Sequence, residues 1–219
     1  MAEHKTGPKM MNTEDAQRFN AIAKTALAPV NPIVARQITD ICGITEGIAI
    51  DIGSGPGHLA IEVAGRTGLR IFALDLSPAM HPIITENIRN AGLSERITPM
   101  TGDVTQLPCP DASADLVFSK GSAFFWDDLT AAFREIQRVL QPGGKAFIGG
   151  GFGNAATLAA VRETMDTIDP TWHDSVKTRL GQETADRFRD ALERAGIHDY
   201  EILHDPWQLW VCFKKEEAP

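Results

Sequence analysis

Cysteine is scarce in this chain: Cys42, Cys109 and Cys212 are three in 219 residues, widely spaced and without a CxxC pair. So odd and dispersed a set builds neither a disulfide framework nor a zinc site, and it suits a reducing compartment where each thiol packs as a small hydrophobe. A cytoplasmic location without a metal centre is expected. No apolar run approaches the ~20 residues that a bilayer span needs, so no membrane segment is expected. The opening MAEHKTGPKMM has no apolar core behind its positive charges, unlike a secretory signal. Residues 1–11 are expected to be a disordered arm. Positive charge is also short, 21 Lys and Arg against 29 Asp and Glu for a net −8, and no basic stripe appears. Long-range attraction to nucleic acid or anionic lipid is therefore excluded as a design principle. Internal repeats and low-complexity tracts are absent, and the length suits one sizeable domain over residues 12–219, monomeric or a homodimer.

Glycine, by contrast, is concentrated where it matters. The stretch IAIDIGSGPGHLAIEVA, residues 48–64, delivers Asp51, then Gly53, Gly55 and Gly57, then a helical pattern. The apolar run before it is that of a strand covered on both faces, as in parallel sheets. Glycines beyond such a strand permit positive φ and close approach of a ligand, while the helix start offers free N–H groups. The spacing is DxGxGxG, not the GxGxxG that cradles a pyrophosphate. An acid two residues before the first glycine favours a cation or an ammonium beside it.

This arrangement resembles motif I of the class I S-adenosylmethionine-dependent methyltransferases, of the ubiquinone/menaquinone type. The resemblance implies a single Rossmann-like α/β domain, with a seven-stranded, mostly parallel sheet, a C-terminal antiparallel hairpin and helices on both faces. It further implies S-adenosyl-L-methionine as cofactor, with Asp51, Gly53, Ser54, Gly55 and Gly57 at its amino acid end. Asp75, about 20 residues past the glycines and followed by Leu76, can accept two hydrogen bonds from a ribose diol. Gly102, Asp103 and Val104 occupy the positions that meet the adenine in that family, and Ser119 closes the cofactor set. Acids thus end three successive strands, at Asp51, Asp75 and Asp103.

The remaining pattern reads in order. Helices are expected over residues 12–27, capped by Thr13 and stopped by Pro29 and Pro32, and over 33–41, closed by Gly43. These N-terminal helices, within residues 12–43, are expected to cover the pocket. Strands at 70–74, 96–100, 114–119 and 145–149 alternate with helices at 59–67, 78–91 (capped by Ser77) and 129–140. Helices at 155–168 and 182–195 precede two apolar runs around HDPWQ that read as a hairpin. The string FREIQRVLQPGGKAFI closely resembles the corresponding helix, turn and strand of the methyltransferases.

In-line methyl transfer needs alignment and exclusion of water, and a base only where the nucleophile holds a proton of high pKa. No catalytic pair is evident, so the catalytic residues are left unassigned, with His58, His81, Lys120, His204 and Asp205 as candidates for base or anchor. The acceptor is expected to be a small molecule in a pocket lined by Phe19, Lys120, Trp126, Gly150 and Trp207. Lys120 with the amides of residues 149–151 as an anion nest would hold an anionic group. Of Phe124, Phe125, Trp126, Trp207 and Trp210, most are expected to be packing. Two other classes share the cofactor signal: another adenosyl-ligand enzyme, such as an aminopropyltransferase or NAD-dependent oxidoreductase, and a catalytically silent cofactor-binding regulator.

Overall fold

The computed structural model describes residues 10–216. The run IAIDI forms β1 (Ile48–Ile52), whose side chains alternate between two covered faces: Ala49 meets one apolar cluster, Ile50 and Ile52 the other. The chain before it supplies α1 (Thr13–Lys24) and α2 (Val30–Cys42), and after it follow α3 (His58–Arg66), β2 (Arg70–Asp75), α4 (Met80–Asn90), β3 (Ile97–Thr101) and β4 (Ala114–Lys120). A short 3-10 turn at Ala123–Phe125 leads to α5 (Leu129–Val139), β5 (Leu140–Gly151), α6 (Ala155–Met165), α7 (Trp172–Arg179), α8 (Gln182–Ala195), β6 (Tyr200–Asp205) and β7 (Gln208–Lys214).

The seven strands run in the order β3-β2-β1-β4-β5-β7-β6, parallel except where β7 pairs antiparallel with both neighbours. The expected fold class is the observed one. The same alternation sorts the core: Ile71, Leu116, Phe118 and Phe147 face α2, α3 and α4, where Val34, Ile38, Val63 and Ile84 cover them. Leu74, Val117 and Ile148 face α5 and α8 through Phe133, Ile136, Phe188 and Leu192. Chain order reverses between β1 and β4, so the carboxyl ends of β1, β2, β4 and β5 open one crevice, the place where open α/β sheets bind ligands.

Several local expectations are corrected. Asn12, not Thr13, caps α1, its Oδ1 accepting from Asp15 N at 2.9 Å. That helix stops at Lys24, and Pro32 does not separate α1 from α2 but lies inside the first turn of α2, where a missing N–H costs nothing. Ser77 does not cap α4; its hydroxyl donates to the Met11 carbonyl at 3.0 Å, so this end of the expected arm is tied to the domain, while residues 1–9 lie outside the described ones. The QPGG segment is a bulge rather than a turn before the strand: β5 begins at Leu140 opposite Ala114 and resumes register at Lys145 opposite Leu116. Helix α7 stands between the helices expected at 155–168 and 182–195, where the sequence pattern predicts no element. Among the described residues no helix is long and apolar enough to cross a membrane.

Candidate active site

The loop from β1 to α3 carries three positive-φ glycines, Gly53, Gly55 and Gly57. A Cβ on Gly53 (φ 67°) would overlap the Ser122 side chain, which donates to Ile52 O at 3.0 Å and shares a 2.7 Å hydrogen bond with Ser119. Gly55 (φ 52°) donates its N–H to Asp75 Oδ2 at 2.9 Å, and a Cβ there would lie 3.1 Å from the Phe19 ring. The loop is held from behind by Asn87, whose Nδ2 donates to Pro56 O at 2.9 Å and to Asn20 Oδ1 at 3.0 Å, joining α4, α1 and the loop.

Beneath Gly55 lies a recess of about 60 Å³ bordered by Phe19, Asp51, Ser54, His58 and Lys120. Asp51 is 1% exposed, and its Oδ2, Ser54 Oγ and His58 Nε2 are buried without a hydrogen-bond partner among the described residues. Buried polar groups are costly unless paired, so three such atoms around one recess specify a polar ligand. Burial pushes the Asp51 carboxyl up to about 8, against the pull of Lys120, and burial pushes the Lys120 ammonium down to about 8, against the pull of Asp51. Lys120 Nζ also donates to Asn31 Oδ1 at 2.6 Å. Burial lowers the pKa of His58, with Lys24 and Lys120 adding to it, which keeps the imidazole neutral. A carboxylate, a hydroxyl and a neutral imidazole suit the ammonium and carboxylate of an amino acid, and they offer no cradle for a pyrophosphate.

The recess adjoins a cavity of about 400 Å³, with which it shares Phe19, Leu27, Gly53, Gly55 and Lys120 as walls. One end is formed by Gly53, Gly55, Asp75 and Leu76, the other by aromatic and aliphatic side chains including Phe124, Phe152, Trp172 and Leu180. Asp75 accepts from Gly55 N and Ser77 N, each at 2.9 Å and one per oxygen, leaving each oxygen a further lone pair toward the cavity. Burial raises its pKa and these two amides lower it.

A methyltransferase domain family model matches residues 50–148. A crystal structure of a Methanococcus maripaludis protein assigned to the S-adenosyl-L-methionine-dependent methyltransferases is 41% identical, covers 100% of this chain and 99% of its own, and superposes with a TM-score of 0.92. The chain belongs to the S-adenosyl-L-methionine-dependent methyltransferases. Among curated relatives, the Streptomyces halstedii methyltransferase GfsG is 25% identical over 180 residues, covering 80% of this chain and 62% of its own. The chain thus spans less than two thirds of that relative. A geranyl diphosphate C-methyltransferase of Streptomyces coelicolor, solved with S-adenosyl-L-homocysteine, shares the fold at 13% identity and a TM-score of 0.57, covering 84% of this chain and 75% of its own.

In this methyltransferase the residues singled out from the sequence do not all converge. Asp51, Gly53, Ser54, Gly55, Asp75 and Leu76 border the recess or the cavity, as do Phe19, Lys120 and Gly150. Gly57 does not; its missing Cβ admits the Ile84 side chain, so it packs α3 against α4. Ser119 is buried behind Ser122. Gly102 is closed in by Leu74 and Pro108, Asp103 Oδ1 accepts from Thr105 N and Oγ1 at 2.8 Å to hold its own turn, and Val104 packs into the core. These last three stand outside the cavity lining. Trp126 packs edge-on to Phe133, and Trp207 sits at the β6–β7 turn with its carbonyl accepting from Phe152 N at 2.9 Å; neither borders the cavity. His204 contacts the Leu180 carbonyl at 2.7 Å, tying β6 to the end of α7, and Asp205 accepts from Gln208 at 2.8 Å within the hairpin. Nor do residues 149–151 form an anion nest, since they run extended between β4 and β7.

The sequence reading missed the wall that α7 supplies. Trp172, Val176 and Leu180 fall four residues apart, one stripe of a helix, and all three border the cavity. That spacing was the available signal. Phe152, stacked edge-on to Trp172 with centroids 5.5 Å apart, completes this wall.

Proposed function

We propose that the protein transfers the methyl group of S-adenosyl-L-methionine to a small molecule held in the apolar end of the cavity. The observation that carries this reading is the set of unpartnered buried atoms, Asp51 Oδ2, Ser54 Oγ and His58 Nε2, in a recess that shares Gly53, Gly55 and Lys120 with the cavity lined by Asp75 and apolar side chains. The recess fits the amino acid end of the cofactor, and Asp75 fits its ribose. Leu76 would flank the base. The adenine contact expected at Asp103 and Val104 has no counterpart in the cavity lining and is not assigned to them.

When bound, the cofactor supplies a methyl group on a sulfonium. The chain's part is positional. Asp51, ionised on pairing with an ammonium, fixes one end, and the Asp75 carboxylate fixes the other, held in place by the Gly55 and Ser77 amides. Phe124, Phe152, Trp172 and Leu180 keep water from the space beside it and give the acceptor an apolar bed. Holding two reactants aligned is worth up to about 7–11 kcal/mol of the barrier. Lys120, anchored by Asn31 where the recess meets the cavity, orients the acceptor end. We place the protein in the cytoplasm, as a monomer or homodimer acting without nucleic acid or membrane.

Titration calorimetry tests the cofactor: micromolar binding of S-adenosyl-L-homocysteine and none of NAD is expected, and the reverse preference would overturn the reading. Labelled methyl transfer into a metabolite extract tests turnover. Cofactor binding without any labelled product from extracts of the source cells would favour a silent regulator instead.

A further inference from the structure

Arg179, the last residue of α7, borders the cavity at its apolar end. Its Nε donates to Ser175 O at 3.1 Å, and its guanidinium lies 5.6 Å from the centroid of the Phe125 ring, which is 60% exposed at the mouth. These contacts fix the plane of the group and, among the described residues, leave both Nη atoms without an acceptor. Other cations near this cavity are engaged: Lys120 faces Asp51 and donates to Asn31. Arginines elsewhere, such as Arg138 and Arg189, spend their forks on carboxylates at 2.6 Å. Among the described residues Arg179 has no such carboxylate; burial lowers its pKa and none of their acids opposes that shift. The guanidinium stays charged throughout the physiological range, so a half-buried fork is aimed at a chamber whose walls are apolar.

Stacking on an aromatic face while presenting paired N–H donors is how arginine takes a carboxylate or a phosphate in bidentate fashion. The chamber offers the complementary half: Phe124, Phe152, Trp172, Val176 and Leu180 lie deeper than Phe125 and suit a hydrocarbon or an aromatic body. The Asp75 carboxylate, on the cofactor side, already accepts two amides and does not compete for the fork. We infer that the methyl acceptor is an amphiphilic anion, whose carboxylate or phosphate pairs with Arg179 at the mouth while its apolar body lies along α7 and Phe152 toward the cofactor. Arg179 then selects the substrate class and sets how deep the acceptor sits, leaving the reacting atom at the far end of an apolar body.

This inference rests on the proposed methyl transfer, so the cofactor is measured first and separately. Calorimetry with S-adenosyl-L-homocysteine should give the same affinity, within about twofold, for the wild type and for Arg179→Met and Arg179→Lys; failure of the wild type to bind it would remove the methyltransferase reading rather than the anion site. The protein saturated with S-adenosyl-L-homocysteine is then titrated with octanoate, octyl phosphate and 1-octanol, and with 3-phenylpropionate against 3-phenylpropanol. At least one anion should bind tenfold or more tighter than its matched alcohol, the two anionic heads of equal tail telling carboxylate from phosphate selectivity. Arg179→Met should abolish that preference while still binding the alcohol, and Arg179→Lys should retain part of it, with melting temperatures near wild type. Equal affinity for anion and alcohol, no binding by any anion, or a preference that survives Arg179→Met would overturn the inference.

Discussion

Replacing Gly55 by alanine perturbs the centre of the site at one atom. Its φ of 52° is left-handed backbone, where a Cβ costs about 1–2 kcal/mol in strain. The new methyl group would stand 3.1 Å from Phe19 Cε1, tighter than ordinary contact, so the ring or the loop must yield by a few tenths of an ångström. Phe19 borders both the recess and the cavity, and Gly55 N holds Asp75 at 2.9 Å, so either displacement moves a proposed cofactor contact. For a domain of this size, where 1 kcal/mol corresponds to about 2–4 °C, the melting temperature should fall by roughly 2–8 °C. Calorimetry should show no measurable binding of S-adenosyl-L-homocysteine to the folded variant. The two effects separate the explanations, because a turn without a ligand would lose stability alone. Unchanged affinity, at any melting temperature, would refute the assignment of this loop to the cofactor.

Three further outcomes follow from neighbouring residues. Asp75→Ala removes the acceptor of two backbone amides and of the proposed ribose contacts; cofactor affinity should weaken by about 1.5–3 kcal/mol in a titration, and Asp103→Ala, whose carboxylate serves its own turn, should weaken it less. Asp51 has its folded pKa raised from 3.8 to about 8, so its stability contribution is intact at low pH and is lost as pH rises through about 8. Asp51→Asn should therefore match the wild type in urea denaturation near pH 4 and exceed it at pH 8, while binding the cofactor at least tenfold more weakly; a stability difference independent of pH would contradict the burial argument. Lys120→Met takes away the ammonium that partly offsets the Asp51 charge, and it should slow methyl transfer at least tenfold with the fold retained; unchanged turnover and acceptor affinity would remove Lys120 from the site.

What the sequence revealed follows the backbone's own physics. Strands β1, β2 and β4 are buried on both faces, so their apolar runs were legible within a residue or two, and with them the sheet and its carboxyl edge. The Gly53 and Gly55 loop was legible because positive φ and close approach of Ser122 and Phe19 admit little else. Asp51 could be read at a strand tip, but that its Oδ2 lacks a partner beside Ser54 and His58 is a property of packing in three dimensions. The aromatics misled where they were read as a cluster: Trp126 and Trp207 look equivalent to Phe124 and Phe152 in composition, yet only the latter two turn inward. Asp103 shows another limit: a carboxylate followed two residues later by Thr105 gives its Oδ1 to that residue's own N–H and hydroxyl, a turn contact that composition alone does not distinguish from a ligand contact.

The two ends of the cavity are therefore written in different kinds of sequence. The cofactor end is made of strand tips and glycines, whose identity is dictated by backbone geometry, and such constraints leave a spacing that can be read directly. The acceptor end is made of one helix face, one strand end and the 3-10 turn at Ala123–Phe125, in which any apolar residue of suitable volume could line the wall. There the informative residue is the one that breaks the pattern. On α7, Trp172, Val176 and Leu180 would form an ordinary buried stripe, but Arg179 puts a charge with no counter-ion among the described residues at the edge of that stripe, where burial disfavours it. A group held at such a cost of desolvation, among residues otherwise chosen for apolarity, points to what the chamber receives, and it does so independently of how the cofactor is held.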